Sequence, residues 1–146
     1  NVALPLRYHF DPPERTVEER TERLLSMLCL EPVRALRPAA LSLGAKRRAA
    51  LARALILDPT VLFLDSPFSD IDNDSAEILV SVVDHYAKKV GLSVIAASYD
   101  PRQILTMASR VIVFHGGSIV ATLSGEALEE SRFLAEIARL QASYRS

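Results

Sequence analysis

An α/β fold with a mainly parallel sheet is predicted by three features of the chain. Two short apolar runs, Val61-Leu62-Phe63-Leu64 and Ser93-Val94-Ile95-Ala96-Ala97, are bounded by chain breakers, the pattern of strands buried on both faces. Between them a helical stretch opens at Asp74-Ser75-Ala76-Glu77 and stops at Gly91, so strand, helix and strand alternate as in a parallel crossover. Beyond them, Arg110–Phe114 and Ile119–Leu123 flank Gly116-Gly117, a hairpin signal.

The bulk properties fit one domain or a large piece of one. The chain has 146 residues, 49% hydrophobic and 24% charged, with a formal net charge of −1. That balance is globular, and it lacks the basic excess of a nucleic-acid binder. The single cysteine, Cys29, excludes an internal disulfide and fits a reducing compartment. No apolar run approaches the roughly 20 residues of a membrane span, and no secretory leader is expected at the start. The first residue is Asn1 and not Met, so the sequence is expected to be a piece of a longer protein.

Taken in order, Asn1–Phe10 is apolar without a clear period, and Asp11-Pro12-Pro13 is a break. Thr16-Val17-Glu18-Glu19 has capping-box spacing, and Val17, Leu24, Leu25 and Leu28 follow on one helical face. Pro32 and Pro38 bracket an irregular link. A second helix is expected from Ser42 to Leu57, stopped by Asp58-Pro59 because a residue before proline avoids the helical region. The third helix should run to Val90. Asp100-Pro101 pairs a capping residue with proline at a first helical position, and the tail from Gly125 reads as an amphipathic helix. These elements predict a helical part over residues 1–58 and an α/β part over 59–146.

Three stretches carry candidate chemistry. In Leu41-Ser42-Leu43-Gly44-Ala45, Ser42 stands where a helix begins, and the free N–H groups there suit phosphate. Gly44 has no side chain to keep an anion from the backbone. A capped helix with a solvated basic face accounts for this stretch equally well. Asp65 closes a strand, where α/β sheets bind ligands, and can hold Mg2+ through water, although taken alone a strand followed by a plain turn accounts for this stretch more simply. Ser98-Tyr99-Asp100 closes the next strand in the same way.

In their order and spacing the three stretches resemble the ATP-binding domain of ABC transporters over nearly the whole chain. Leu41, Ser42 and Gly44 match that family's Leu-Ser-Gly-Gly-Gln signature, and Ala50-Leu51-Ala52-Arg53-Ala54-Leu55 matches the helix that follows. Asp65 and Pro67 match the Walker B Asp-Glu-Pro, and Ser69-Asp70-Ile71-Asp72 matches the D-loop. Asp100-Pro101 follows the switch position. The resemblance implies the C-terminal part of a P-loop NTPase core, with an N-terminal helical subdomain and a C-terminal hairpin plus helices. It implies ATP and Mg2+ as cofactors of the complete protein, a second ATP-binding subunit paired head to tail, a membrane permease, and a peripheral place on the cytoplasmic side of the membrane. Ser42 and Gly44 would face the partner's ATP, with Asp65, Ser66, Asp72 and Tyr99 serving the chain's own side. Asn1-Val2-Ala3-Leu4-Pro5-Leu6 further resembles the segment after the glutamine loop in importers and in phospholipid-transport ATPases of the mammalian-cell-entry type, which implies lipid trafficking.

The departures bear on mechanism. Ser66 replaces the glutamate that acts as general base, and a neutral hydroxyl cannot take that proton. Tyr99 replaces the switch histidine, and an ordinary phenol does not titrate near neutrality. Leu43 and Ala45 replace a glycine and the glutamine of the signature. No Gly-x-x-x-x-Gly-Lys-Ser/Thr occurs, so the phosphate cradle is missing from this sequence. His9, His85 and His115 are expected to be solvent-facing or locally bonded and not to repair the site. The chain alone is expected not to hydrolyse ATP, and the complete protein to do so slowly or not at all. The other reading is a non-catalytic, ATP-sensing or structural partner of a competent ATPase. The sheet is expected to show an unpaired edge beside Walker B, since the first strands of the family's core lie upstream.

Overall fold

The computed structural model describes residues 1–100, 105 and 107–143, which fall into two compact units, Asn1–Ala97 and Ser98–Ser146. The first unit contains α1 (Leu4–Phe10), α2 (Glu14–Met27), α3 (Leu43–Leu55), β1 (Val61–Asp65), α4 (Asn73–His85) and β2 (Ser93–Ala97). The second contains β3 (Arg110–His115), β4 (Ser118–Ser124) and α5 (Glu130–Ser143). No helix among the described residues is long and apolar enough to cross a membrane.

The core of the first unit is a helix stack with α3 in the middle. Val17, Leu24, Leu25 and Leu28 of the predicted α2 face are all buried, Leu28 completely. They meet α3, which buries Ala45, Leu51, Ala52 and Leu55, while α4 adds Leu79, Val82 and Val83. Small residues at 45 and 52 let the helices approach closely. Pro32 and Pro38 fall in two short 3-10 turns, Glu31–Val33 and Pro38–Ala40.

The ends of α2 and α3 are tied together by side chains. Cys29 adopts φ 50°, the left-handed residue after a helix end, and Leu30 N–H closes back on Leu25 O at 2.8 Å. Arg48 of α3 then donates one Nη1 to Leu28 O at 2.8 Å and to Cys29 O at 2.9 Å. At the other end Arg20 pairs with Asp58 at 2.6 Å. Asp58 itself takes φ 49° before Pro59, which ends α3.

Several expectations are corrected. The apolar Leu4–Phe10 segment is helical, with Pro5 in its first turn, where a missing N–H costs nothing. Helix α2 starts at Glu14, behind Pro13, so Thr16 lies inside it and Glu19 pairs with Arg15 at 2.7 Å, not with a capping threonine. Helix α3 ends at Leu55. Helix α4 starts one residue earlier than Asp74, capped by Asp72, and its last turn, Tyr86–Val90, is π-wound before Gly91 at φ 81°.

β1 and β2 are parallel, with Val61 opposite Ser93, Phe63 opposite Ile95 and Asp65 opposite Ala97. They are not buried on both faces. Phe63 is 73% and Ile95 56% exposed, and they share one face with Val61. Leu62 and Leu64 look the other way, into an open groove with Leu51 and Ala54 of α3 and Leu79 of α4. A continuous apolar run signals double burial only where both faces are covered, and here α3 and α4 cover one. Among the described residues these two strands pair only with each other, in line with the expected unpaired edge.

In the second unit, β3 and β4 form the predicted hairpin. Gly116 and Gly117 take φ 54° and 79°, the left-handed pair that a two-residue turn matched to strand twist requires. A bulge lies between Val113 and Phe114. Phe133 of α5 is 1% exposed and Val111 of β3 is also buried. The expected helix start at Pro101 lies outside the described residues.

Leu28→Ala should destabilise the protein by about 2–5 kcal/mol, as loss of a fully buried leucine does. Arg48→Met, which keeps the stem but removes both hydrogen bonds, should cost roughly 1–3 kcal/mol. Both are read as lower urea midpoints with an unchanged slope.

Candidate functional site

The stretch Leu41–Ala45 enters α3 from an extended segment. Leu41 is half-buried, and its N–H bonds Pro38 O at 3.3 Å. Ser42 is extended at φ −60°, ψ 163°, and its Oγ accepts from Ala45 N–H at 3.2 Å. That is the N-cap arrangement, which satisfies one of the amides a helix start leaves unpaired, while Lys46 N–H closes the first helical bond on Ser42 O at 2.9 Å. Leu43 stands at the first helical position and is 44% exposed, while Gly44 and Ala45 are buried.

Gly44 is the point where α3 meets α4. A Cβ at position 44 would overlap Ser75 Oγ, and would lie 2.7 Å from Ser75 Cβ and 2.8 Å from Asp72 Oδ2. The space beside Gly44 is therefore filled by the capping pair of α4. Asp72 caps that helix by accepting Ser75 N–H on Oδ1 at 2.7 Å and Ser75 Oγ–H on Oδ2 at 2.9 Å. These bonds, with help from the Arg48 charge, hold the Asp72 carboxyl below the usual range. Two predicted residues, Gly44 and Asp72, are thus brought together within one chain.

Asp65 and Ser66 form a second cluster, at the carboxyl end of β1 and beside the end of β2. Asp65 is exposed, and Ser66 N–H extends the parallel ladder by donating to Ala97 O at 2.9 Å. Ser66 takes φ 45°, a left-handed conformation that costs a non-glycine residue about 1–2 kcal/mol. Its Oγ donates to Asp65 Oδ1 at 3.3 Å. Asp70 in the loop that follows is also left-handed, at φ 62°. Strained turns of this kind concentrate where a loop has a job beyond connection.

Tyr99 lies in the second unit, two residues past the end of β2, and is 98% exposed. His9 and His85 are exposed and touch neighbouring aromatic rings, and His115 is exposed at the hairpin turn.

Two residues with clear roles were not singled out from sequence, Ser75 and Arg48. The spacing Asp72-x-x-Ser75 carries a capping signal three residues long, and it was masked by the neighbouring Asp74. Nothing local marks Arg48, because its partners are carbonyls about twenty residues away.

Magnesium bound with a nucleotide takes one or two carboxylates and completes its shell with water and phosphate oxygens. The exposed carboxylate of Asp65 fits that modest demand. Among the described residues no group of three or more His, Cys, Asp or Glu converges.

Comparison with known proteins decides the family. Residues 5–69 match the profile described as ABC transporter. The chain is 33% identical over 134 residues to the intermembrane phospholipid transport system ATP-binding protein MlaF of Haemophilus influenzae, covering 92% of this chain and 51% of that protein. It belongs to the ABC transporter ATP-binding family. It is also 33% identical over 147 residues to the spermidine/putrescine import ATP-binding protein PotA of Lawsonia intracellularis, covering 96% of this chain and 40% of that protein. The dimeric ATP-binding cassette MJ0796, solved in a post-hydrolysis state with ADP and Pi, superposes with a TM-score of 0.75 at 25% identity, over 84% of this chain and 54% of that one. The chain spans about half the length of the curated relatives it matches. Its fold is that of part of an ABC-type P-loop NTPase.

The lowered Asp72 carboxyl carries a sign. Its contribution to stability is complete above the ordinary carboxyl value of about 3.9 and is lost as pH falls through the lower folded-state value. Asp72→Asn should therefore flatten the fall of the melting temperature below about pH 4, where the parental protein keeps its slope. Ser42→Ala should cost about 0.5–2 kcal/mol through the lost cap of α3, measured by urea unfolding.

Proposed function

We propose that the chain is part of an ATP-binding subunit of an ABC transporter, one that couples ATP binding to membrane transport with impaired hydrolysis. The observation that carries this reading is the arrangement around α3. A capped, partly free helix start at Ser42–Ala45, a strand-end carboxylate at Asp65 and the D-loop aspartate at Asp72 occur in the family's order on the family's fold. Division of the chain at residue 58 into a signature-bearing helical part and an α/β core part belongs to the same proposal.

In this reading the amides opening α3 face the phosphates of a nucleotide held by a second ATP-binding subunit. The positive end of the helix stabilises that charge. Exposed Leu43 narrows the approach, and Ala45 offers no side-chain contact. Asp65 would hold Mg2+ through water on the chain's own side, and the cation's chemistry there would be to neutralise phosphate charge. Ser66 stands where a carboxylate would take a proton from the attacking water. Its neutral hydroxyl, which donates to Asp65, is too weakly basic to take that proton. Tyr99, fully exposed, supplies a hydroxyl where the family has a histidine.

Loss of a general base lowers a rate by about 100- to 10,000-fold. The cassette would then clamp on ATP more readily than it consumes it. Likeness to MlaF supports phospholipid as cargo, and a membrane permease as partner on the cytoplasmic side. The same replacements at Ser66 and Tyr99 support one second reading, a non-catalytic ATP-sensing or structural partner of a competent ATPase.

The test uses the protein extended to its natural N-terminus. It should bind ATP and turn over far below the roughly 1–100 per second usual for phosphoryl transfer, with Ser66→Glu/Tyr99→His restoring turnover. Full turnover by the parental protein would overturn the reading. Binding without turnover in the reverted form would favour the non-catalytic one.

A further inference from the structure

We propose that Ser75 is the positioning residue for the loop from Leu41 to Ala45, acting through Gly44. Ser75 is 3% exposed, and it is the buried polar residue among the described side chains. Its backbone and hydroxyl engage both oxygens of Asp72, at 2.7 and 2.9 Å, which fixes its rotamer. Fixed in this way, it fills the space where a side chain at position 44 would stand.

Gly44 lies within α3 and has no left-handed backbone to explain it. At this second helical position the absence of a side chain is what admits α4, since a Cβ here would meet Ser75 and Asp72. Ala45, next in sequence, has its N–H held by the Ser42 cap. The first turns of α3 and α4 are thereby seated on each other, and a shift at one must displace the cap of the other, because packed interfaces do not deform continuously. If Leu41–Ala45 faces a nucleotide, as proposed above, contact with that nucleotide reaches Asp72 through Ser75. That consequence rests on the functional reading, whereas the mechanical link does not.

Amide hydrogen exchange at Ala45 and Ser75 tests the link without nucleotide. Gly44→Ala should speed exchange at both amides by roughly tenfold, and Gly44→Ala/Ser75→Gly should bring Ala45 part of the way back, because the overlap with Ser75 is removed while Asp72 Oδ2 still lies 2.8 Å from the added methyl. Acceleration at Ala45 alone, or no rescue in the double variant, overturns the proposal. If Gly44→Ala does not fold, Ser75→Ala takes its place. It should speed both amides by about threefold, and a change confined to Ser75 overturns the link. In the protein with its natural N-terminus, MgATP should slow Ser75 exchange in the parental form and leave it unchanged in Ser75→Ala. An equal response in both contradicts the positioning role. Failure of every form to bind ATP would sink the nucleotide reading while the nucleotide-free exchange still decides the link.

Discussion

The tight seating of α3 between α2 and α4 is the constraint on which the first unit depends. Ala45 and Ala52 are buried on it, Gly44 leaves room for Ser75, and Arg48 reaches back to the open carbonyls at the end of α2. Small residues are needed because a larger side chain at 44 meets atoms that cannot retreat. The same helix presents the candidate nucleotide-facing loop at its start. Packing and site are therefore not separate layers here: the residues that allow α4 to approach are those next to the loop on which the functional reading rests.

The carboxyl ends of β1 and β2 supply the second part of the site. Parallel register brings Asp65 level with Ala97, and the left-handed turn at Ser66 points its hydroxyl back to Asp65. In the proposed reading this strand end keeps the family's frame while the side chain at 66 has no basic group to offer.

Much of this was legible in the sequence, for reasons that can be named. The two strands, the α2 face and the Gly116-Gly117 turn each rest on a local rule: apolar runs between breakers, helical periodicity and glycine's backbone freedom respectively. Helix α1 was not legible, because Leu4–Phe10 has too few residues to show a period and Pro5 reads as a breaker. The start of α2 was misplaced because Thr16-Val17-Glu18-Glu19 satisfies the capping pattern, yet Pro13 had already set the helical φ. Exposure of Phe63 and Ile95 was invisible, since the residues of a strand do not report what covers them. In the site, residue types were readable one by one. The meeting of Gly44 with Ser75 and Asp72 was not, because it joins residues some thirty positions apart through shape alone.

The central claim is that a family scaffold capable of gripping nucleotide stands with its general base removed. The most direct measurement is the identity of the nucleotide retained after the protein with its natural N-terminus is incubated with MgATP and separated from free ligand. The account predicts that after a few seconds the retained nucleotide is still mostly ATP, where turnover at roughly 1–100 per second would have converted it. Conversion to ADP on that timescale would contradict it.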